Sequence, residues 1–422
     1  MWVNPHMSPA SVLRRHLSRQ IAHWGIAGTR LADIESLAAP QAWRSLERHT
    51  GQRLRAQFTD AVKELERDGH ALLAVVRAAA TQAELLGLSP KVRAFKRRYL
   101  RIETALDFYA DAINSRTNPE MGALLRSCDA LVDRAMKDVL VPLGKPVPPV
   151  VTFADQGRGA LILKYALRLW DPAIQSYVAA IKITRHALHN GTSLLHEAGH
   201  QISALIDWND ELRAALITGL RSTSLGECWG AWASEIAADA FAFVFTGYAS
   251  VCALHDVVAD EPRAVFRYAP DDPHPVSFLR VLLGVDMCRH AYGAGPWDEL
   301  ADVWQLTYPL HPSLAAADLL RSSQSVLPRV AELILSRPYR AFKGKSLVDL
   351  VNPQRVSPAA LRKLEETVGP ALFLSSYWVT KDPMRLLALT GLKSAVSGAP
   401  SAQSLREQQS WMLRLGDSLA AA

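Results

Sequence analysis

Through most of the chain apolar residues recur at three- and four-residue spacing, the period of a helix that buries one face. Leu100, Ile102, Leu106 and Tyr109 illustrate it in the N-terminal third. The pairs Ser8-Pro9, Ser89-Pro90 and Asn118-Pro119 predict helix starts there. The first residue of each pair can cap free N–H groups, and proline at the first helical position forfeits no hydrogen bond. The helical pattern stops at residues 141–149, where four prolines cannot continue a helix, and a domain boundary is expected. The period then changes. Residues 150–153, 161–167 and 177–184 are short segments rich in β-branched or aromatic residues, separated by turn material at 155–159 and at Asp171-Pro172. They predict strands of a small sheet. After Thr184 the helical period returns and runs to the C-terminus, with a further start at Ser357-Pro358. The pattern predicts a mostly helical α+β protein in three parts: helical residues 1–145, a core over 146–295 with a small sheet and two long helices, and helical residues 296–422.

Composition narrows the class. The 422 residues are 49% hydrophobic and 21% charged, which describes a globular protein with a real core and excludes fibrous and disordered classes. No signal peptide is evident at the start. The longest apolar run, 237–254, contains Asp239, Gly247 and Tyr248 and does not read as a membrane span. Cys128, Cys228, Cys252 and Cys288 are far apart and form no CxxC pair, so neither a disulfide framework nor a zinc knuckle is expected. A cytoplasmic, reducing setting is the simplest expectation.

Charge adds one asymmetry. The net charge is +6, and residues 1–150 hold 22 Lys+Arg against 15 Asp+Glu. The densest basic stretch holds Lys91, Arg93, Lys96, Arg97, Arg98 and Arg101. It reads either as a solvated helix face or as a surface for nucleic acid or another acidic partner.

The chemistry gathers at His196-Glu197-Ala198-Gly199-His200. On a helix, positions i and i+4 lie on one face. Two imidazoles there can hold one Zn2+, and the adjacent Glu197 can act as general base toward a water at the metal. A catalytic zinc needs a third protein ligand. Downstream, a helix apolar on nearly all sides is expected between Ser224 and Gly247, opened by an S-x-x-E capping box of Ser224 and Glu227. Within its interior Glu235 and Asp239 are the only acids. Buried acids are rare unless paired or bound to metal, so Glu235 is the expected third ligand. Asp239, one turn on, can accept the remaining ring N–H of a ligating histidine. Glu227 competes as a ligand but has the capping role.

HExxH followed by a helix bearing E-x-x-x-D resembles the gluzincin metallopeptidases, which include thermolysin-like enzymes and zinc peptidases related to the heat-shock and CAAX-processing proteases. The resemblance spans roughly residues 146–290. It implies a zincin-like core with His196, His200 and Glu235 as zinc ligands, Glu197 as general base and Asp239 behind the ligands. The membrane-spanning helices of the CAAX-processing relatives are absent from the pattern.

Other residues leave alternatives open. His274 lies between prolines, in Asp272-Pro-His-Pro-Val-Ser-Phe-Leu-Arg280. Some soluble relatives of the CAAX-processing type carry a similar His-Pro segment with a following arginine. His274 is an oxyanion donor, a fourth ligand that closes the site, or an ordinary loop residue; Tyr268 and Tyr292 are lesser donor candidates. In the gluzincin arrangement an edge strand pairs with extended substrate, and the strand holding Tyr177, Ala179, Ile181 and Ile183 is the candidate, against a strand paired on both sides. Trp208, Trp229 and Trp232 are expected in the core. The expected function is zinc-dependent hydrolysis of peptide bonds in a peptide or protein substrate. The alternatives are a catalytically silent zinc-stabilised binding protein, and nucleic-acid or acidic-partner binding through the basic N-terminal helices.

Overall fold

A computed structural model describes residues 8–46, 48–155, 178–184, 188, 191–220, 222–396 and 402–420. It is mostly helical with one small parallel sheet of two strands. The longer elements are α1 (Pro9–Arg30), α2 (Arg48–Ala78), α3 (Gln82–Asn114), α4 (Pro119–Leu140), β1 (Val150–Asp155) and β2 (Ala179–Thr184). They continue with α5 (Ser193–Leu205), α6 (Trp208–Gly219), α7 (Thr223–Ala231), α8 (Ala233–Thr246), α9 (Tyr248–Val258), α10 (Ser277–Tyr292) and α11 (Pro296–Thr307). The last four are α12 (Ala317–Leu335), α13 (Pro358–Val368), α14 (Pro383–Val396) and α15 (Ala402–Ala420). The predicted strand at 161–167, the turns between strands and Tyr177 lie outside the described residues.

By its internal contacts the chain divides into two compact units, residues 1–122 with 163–180 and residues 123–162 with 181–422. In the first, α1, α2 and α3 pack pairwise. Gly28 lets α1 approach Leu65, and Gly69 lets α2 approach Phe95, whose ring a Cβ would meet at 2.9 Å. In the second, α5 and α8 form the central pair, bordered by α6, α9, α10 and α14. This division differs from boundaries at 145 and 295. The proline stretch does end α4, but most of α4 is anchored on α15: Arg126 Nε donates to the Gly416 carbonyl at 2.8 Å, and Ser127 Oγ donates to the Met412 carbonyl. Gly416 sits so close that a Cβ would collide with the Ala123 backbone. Residues 296–422 therefore share a unit with α5 and α8.

The start signals hold at three of four positions. Ser8 Oγ accepts from Ser11 N at 3.3 Å, Asn118 Oδ1 from Met121 N at 3.1 Å and Ser357 Oγ from Ala360 N at 3.2 Å. Ser89-Pro90 fails, because Pro90 lies inside α3. That helix opens earlier, at a reciprocal box in which Thr81 caps Glu84 N and Glu84 caps Thr81 N. Leu85, Leu88, Val92 and Phe95 bury one continuous face across the proline, so packing offsets the lost backbone bond. Ile102, Leu106 and Tyr109 are buried as expected, whereas Leu100 is exposed. The capping box at Ser224 and Glu227 is also absent. Ser222 caps α7, accepting from Leu225 N at 3.4 Å, and Glu227 is exposed. The expected single helix breaks at Trp232 into α7 and α8. Gly226 packs on the Ile217 backbone, where a Cβ would meet a carbonyl oxygen at 2.7 Å, and this ties α7 to α6. Gly247, at φ +61°, stops α8 in a conformation that suits glycine. The apolar run 237–254 is thereby split between α8 and α9, and no helix among the described residues is long and apolar enough to cross a membrane.

Candidate metal centre

The site forms where α5 and α8 cross. In α5 most residues from Leu194 to Ser203 are buried, and its two histidines share the face turned to α8. Gly199, between them, sets the approach: a Cβ there would lie 2.8 Å from the Ala238 carbonyl oxygen and 2.9 Å from its Cα. On α8 the surface that Gly199 meets is formed by Ala238, with Phe241 Cβ beside it. This closeness lets a carboxylate on α8 reach both imidazoles of α5.

Glu235 does so. His200 Nε2 lies 3.2 Å from Glu235 Oε1, and His196 Nε2 lies 3.5 Å from Glu235 Oε2. A tetrahedral ion holding ligands at about 2.0–2.1 Å separates its donor atoms by roughly 3.3–3.4 Å, so these spacings fit one zinc-sized cation. Among the described residues the group of metal-binding type is His196, His200 and Glu235, with donor atoms all within 4.8 Å of one another. Asp239 completes the frame behind them. Its Oδ1 is 2.8 Å from His196 Nδ1, and an ionised carboxylate only accepts, so Nδ1 carries the hydrogen and Nε2 faces the metal position. Ser234 Oγ sits 3.4 Å from His200 Nδ1 on the far side of that ring.

Arg280, from α10, closes the cluster. Its Nε donates to Asp239 Oδ2 at 2.6 Å, and its Nη2 donates to Asp239 Oδ1 at 2.8 Å and to Glu235 Oε2 at 3.3 Å. Burial alone would raise both carboxyls. The bonds from His196 and His200, with Arg280 nearby, hold Glu235 well below the ordinary carboxylate range. Arg280 and His196 bring Asp239 down to about 2. Burial disfavours charge on His196, but Asp239 and Glu235 outweigh it and raise the imidazole to about 9. A proton on His196 thus offsets part of the negative charge of Asp239 and Glu235. Glu197 is buried next to His196, and its negative charge contributes to raising the Arg280 pKa.

Compared with known proteins, the chain matches no family model, no curated protein and no solved structure.

His274 stands at the mouth of the cluster, its Nε2 3.6 Å from Glu235 Oε2. It is 56% exposed and falls outside the tight donor group. Asp272 holds it: Asp272 Oδ1 accepts from the His274 backbone N–H at 3.1 Å and lies 2.8 Å from Nδ1. Asp272 went unassigned in the sequence, although an Asx-type bond two residues ahead is a recognisable local signal. Arg280 was visible there only as the end of the His-Pro segment. Tyr292 is committed elsewhere, donating to the Pro353 carbonyl at 3.1 Å. Tyr268 is exposed and lies against Trp232 and Cys228. Trp208, Trp229 and Trp232 are buried core residues. In β2, which pairs with β1, the side chains of Ile181 and Ile183 are buried and Ala179 is half-buried.

Proposed function

We propose that this protein is a zinc-dependent metallopeptidase. The observation that carries the reading is the convergence of two imidazole Nε2 atoms on one buried carboxylate, with donor spacings of 3.2 and 3.5 Å. The resemblance of HExxH and E-x-x-x-D to the gluzincin pattern supports the same ligands, His196, His200 and Glu235. Bound there, Zn2+ supplies a Lewis acid that polarises the scissile carbonyl and makes water a nucleophile near neutral pH. The chain's own groups do the rest. Glu197 takes the proton from the attacking water on its carboxylate and passes it to the leaving amine. Asp239 holds His196 by Nδ1, and Arg280 holds Asp239. His274, oriented by Asp272, turns Nε2 toward the place where charge develops on the substrate oxygen. A cytoplasmic setting accompanies this reading, as does a zincin-like core around α5 and α8.

Glu197→Gln tests the mechanism. It keeps the side chain's size and removes the base, so turnover of a peptide library should fall by about 10²–10⁴-fold while bound zinc is unchanged. Retained turnover in that variant would rule the mechanism out.

A further inference from the structure

The N-terminal unit carries a surface that the metal centre does not use. Over its whole length, Pro9–Arg30, α1 holds four arginines and two histidines and no carboxylate. In α3, residues 85–102 hold six Lys and Arg and again no carboxylate. Acids of the unit border the two segments (Asp33 and Glu35 after α1, Glu84 in the first turn of α3) and lie on α2 (Asp60, Glu64, Glu66, Asp68) and in the second half of α3. The two basic segments run side by side in the same direction. Arg14 Nη2 donates to the Ala79 carbonyl just before α3 at 2.6 Å, and further along Lys96 Nζ sits 5.2 Å above the Trp24 ring.

Two of these cations are half-buried. Arg14 caps Ala79, and Arg98 pairs with Glu64 and Asp68. The others are exposed: Arg15, Arg19 and Arg30 on α1, and Lys91, Arg93, Lys96, Arg97 and Arg101 on α3. None of them forms an ion pair among the described residues. Like charges one turn apart on a helix repel, so a surface of this kind favours a polyanion that spans it. Most of the exposed cations are arginines, whose planar guanidinium suits phosphate oxygens. From residue 91 to 101 the helix axis covers about 15 Å, a length over which one nucleic-acid strand presents about four phosphates. Trp24 is half-buried, covered by Lys96 and packed on Tyr99 at 5.1 Å. The face therefore offers no base-stacking platform and no aromatic anchor for a membrane interface.

We propose that the α1–α3 face binds the phosphate backbone of nucleic acid, without base specificity. The test uses the full chain and a fluorescein-labelled 20-base-pair DNA duplex of arbitrary sequence, with binding followed by anisotropy over a series of salt concentrations. The logarithm of the binding constant should fall linearly with the logarithm of salt, with a slope of about −4. Combining Arg93→Glu, Arg97→Glu and Arg101→Glu should weaken binding more than tenfold at low salt and flatten the slope by about three. Arg362→Glu with Lys363→Glu, equally exposed on α13, should change neither. All substitutions are on the surface, and an unchanged thermal midpoint verifies folding. Absence of salt-dependent binding, or equal binding by the triple variant, would overturn the proposal. So would tighter binding of poly-glutamate or phosphatidylserine vesicles than of the duplex. Zinc and peptide turnover do not enter the measurement, so its outcome is independent of the metallopeptidase reading.

Discussion

Two arginines in this protein each hold a pair of carboxylates, in opposite surroundings. Arg98, in the N-terminal unit, reaches from α3 to Glu64 and Asp68 on α2, with side chains 27%, 36% and 39% exposed. Arg280, in the second unit, reaches from α10 to Glu235 and Asp239 on α8, with side chains 9%, 5% and 10% exposed. Water screens the first cluster, which gains and costs little. The second takes three charges out of water, and burying such a group is often less favourable than filling the space with hydrocarbon. A helix otherwise built mainly of alanine, phenylalanine and other apolar residues carries Glu235 and Asp239 at that cost. On the proposed reading their arrangement around two histidines gives the reason: a cation site needs buried negative charge, and Arg280 offsets part of it.

Substitutions at the two clusters should have unequal effects. Arg280→Met keeps the volume and strands two buried carboxylates, so the metal-free protein should lose about 3–5 kcal/mol, read by urea unfolding. Saturating zinc should recover part of that loss, because a second cation then faces Glu235. Asp239→Asn removes the ionised partner of His196 Nδ1 and should weaken zinc binding about 10–100-fold, measured by competition with a chelator. Gly199→Ala puts a methyl group against the Ala238 backbone and should destabilise by about 1–3 kcal/mol, with a matching fall in thermal midpoint. Arg98→Met, the exposed counterpart of the first variant, should cost at most about 1 kcal/mol, with or without zinc. A large loss from Arg98→Met, or a negligible one from Arg280→Met, would erase the distinction between the two clusters.

What could be read from the sequence was local or periodic. HExxH on a helix and E-x-x-x-D on a second apolar helix follow from the 3.6-residue period and from the scarcity of acids in buried segments. The caps at Ser8, Asn118 and Ser357 follow from side chains bonding backbone within one turn. What escaped reading depends on contacts between distant segments. Pro90 continues a helix because a buried stripe runs through it and a stronger cap lies upstream at Thr81. The break at Trp232 comes with the close packing of Gly226 on α6. The role of Gly199 appears only once Ala238 faces it. The link from Arg280 to Asp239 spans 41 residues, and no spacing rule reports it. The attachment of α4 to α15 joins residues nearly 300 apart and moves the division of the chain away from its most visible proline stretch.

The central claim is that His196, His200 and Glu235 hold one catalytic metal ion. The most direct test is the zinc content of full-length protein purified without a metal-affinity tag, measured beside the His196→Ala variant. About one zinc per chain is expected in the wild type and none in the variant. Well-folded wild-type protein that holds no zinc and takes up none would contradict it.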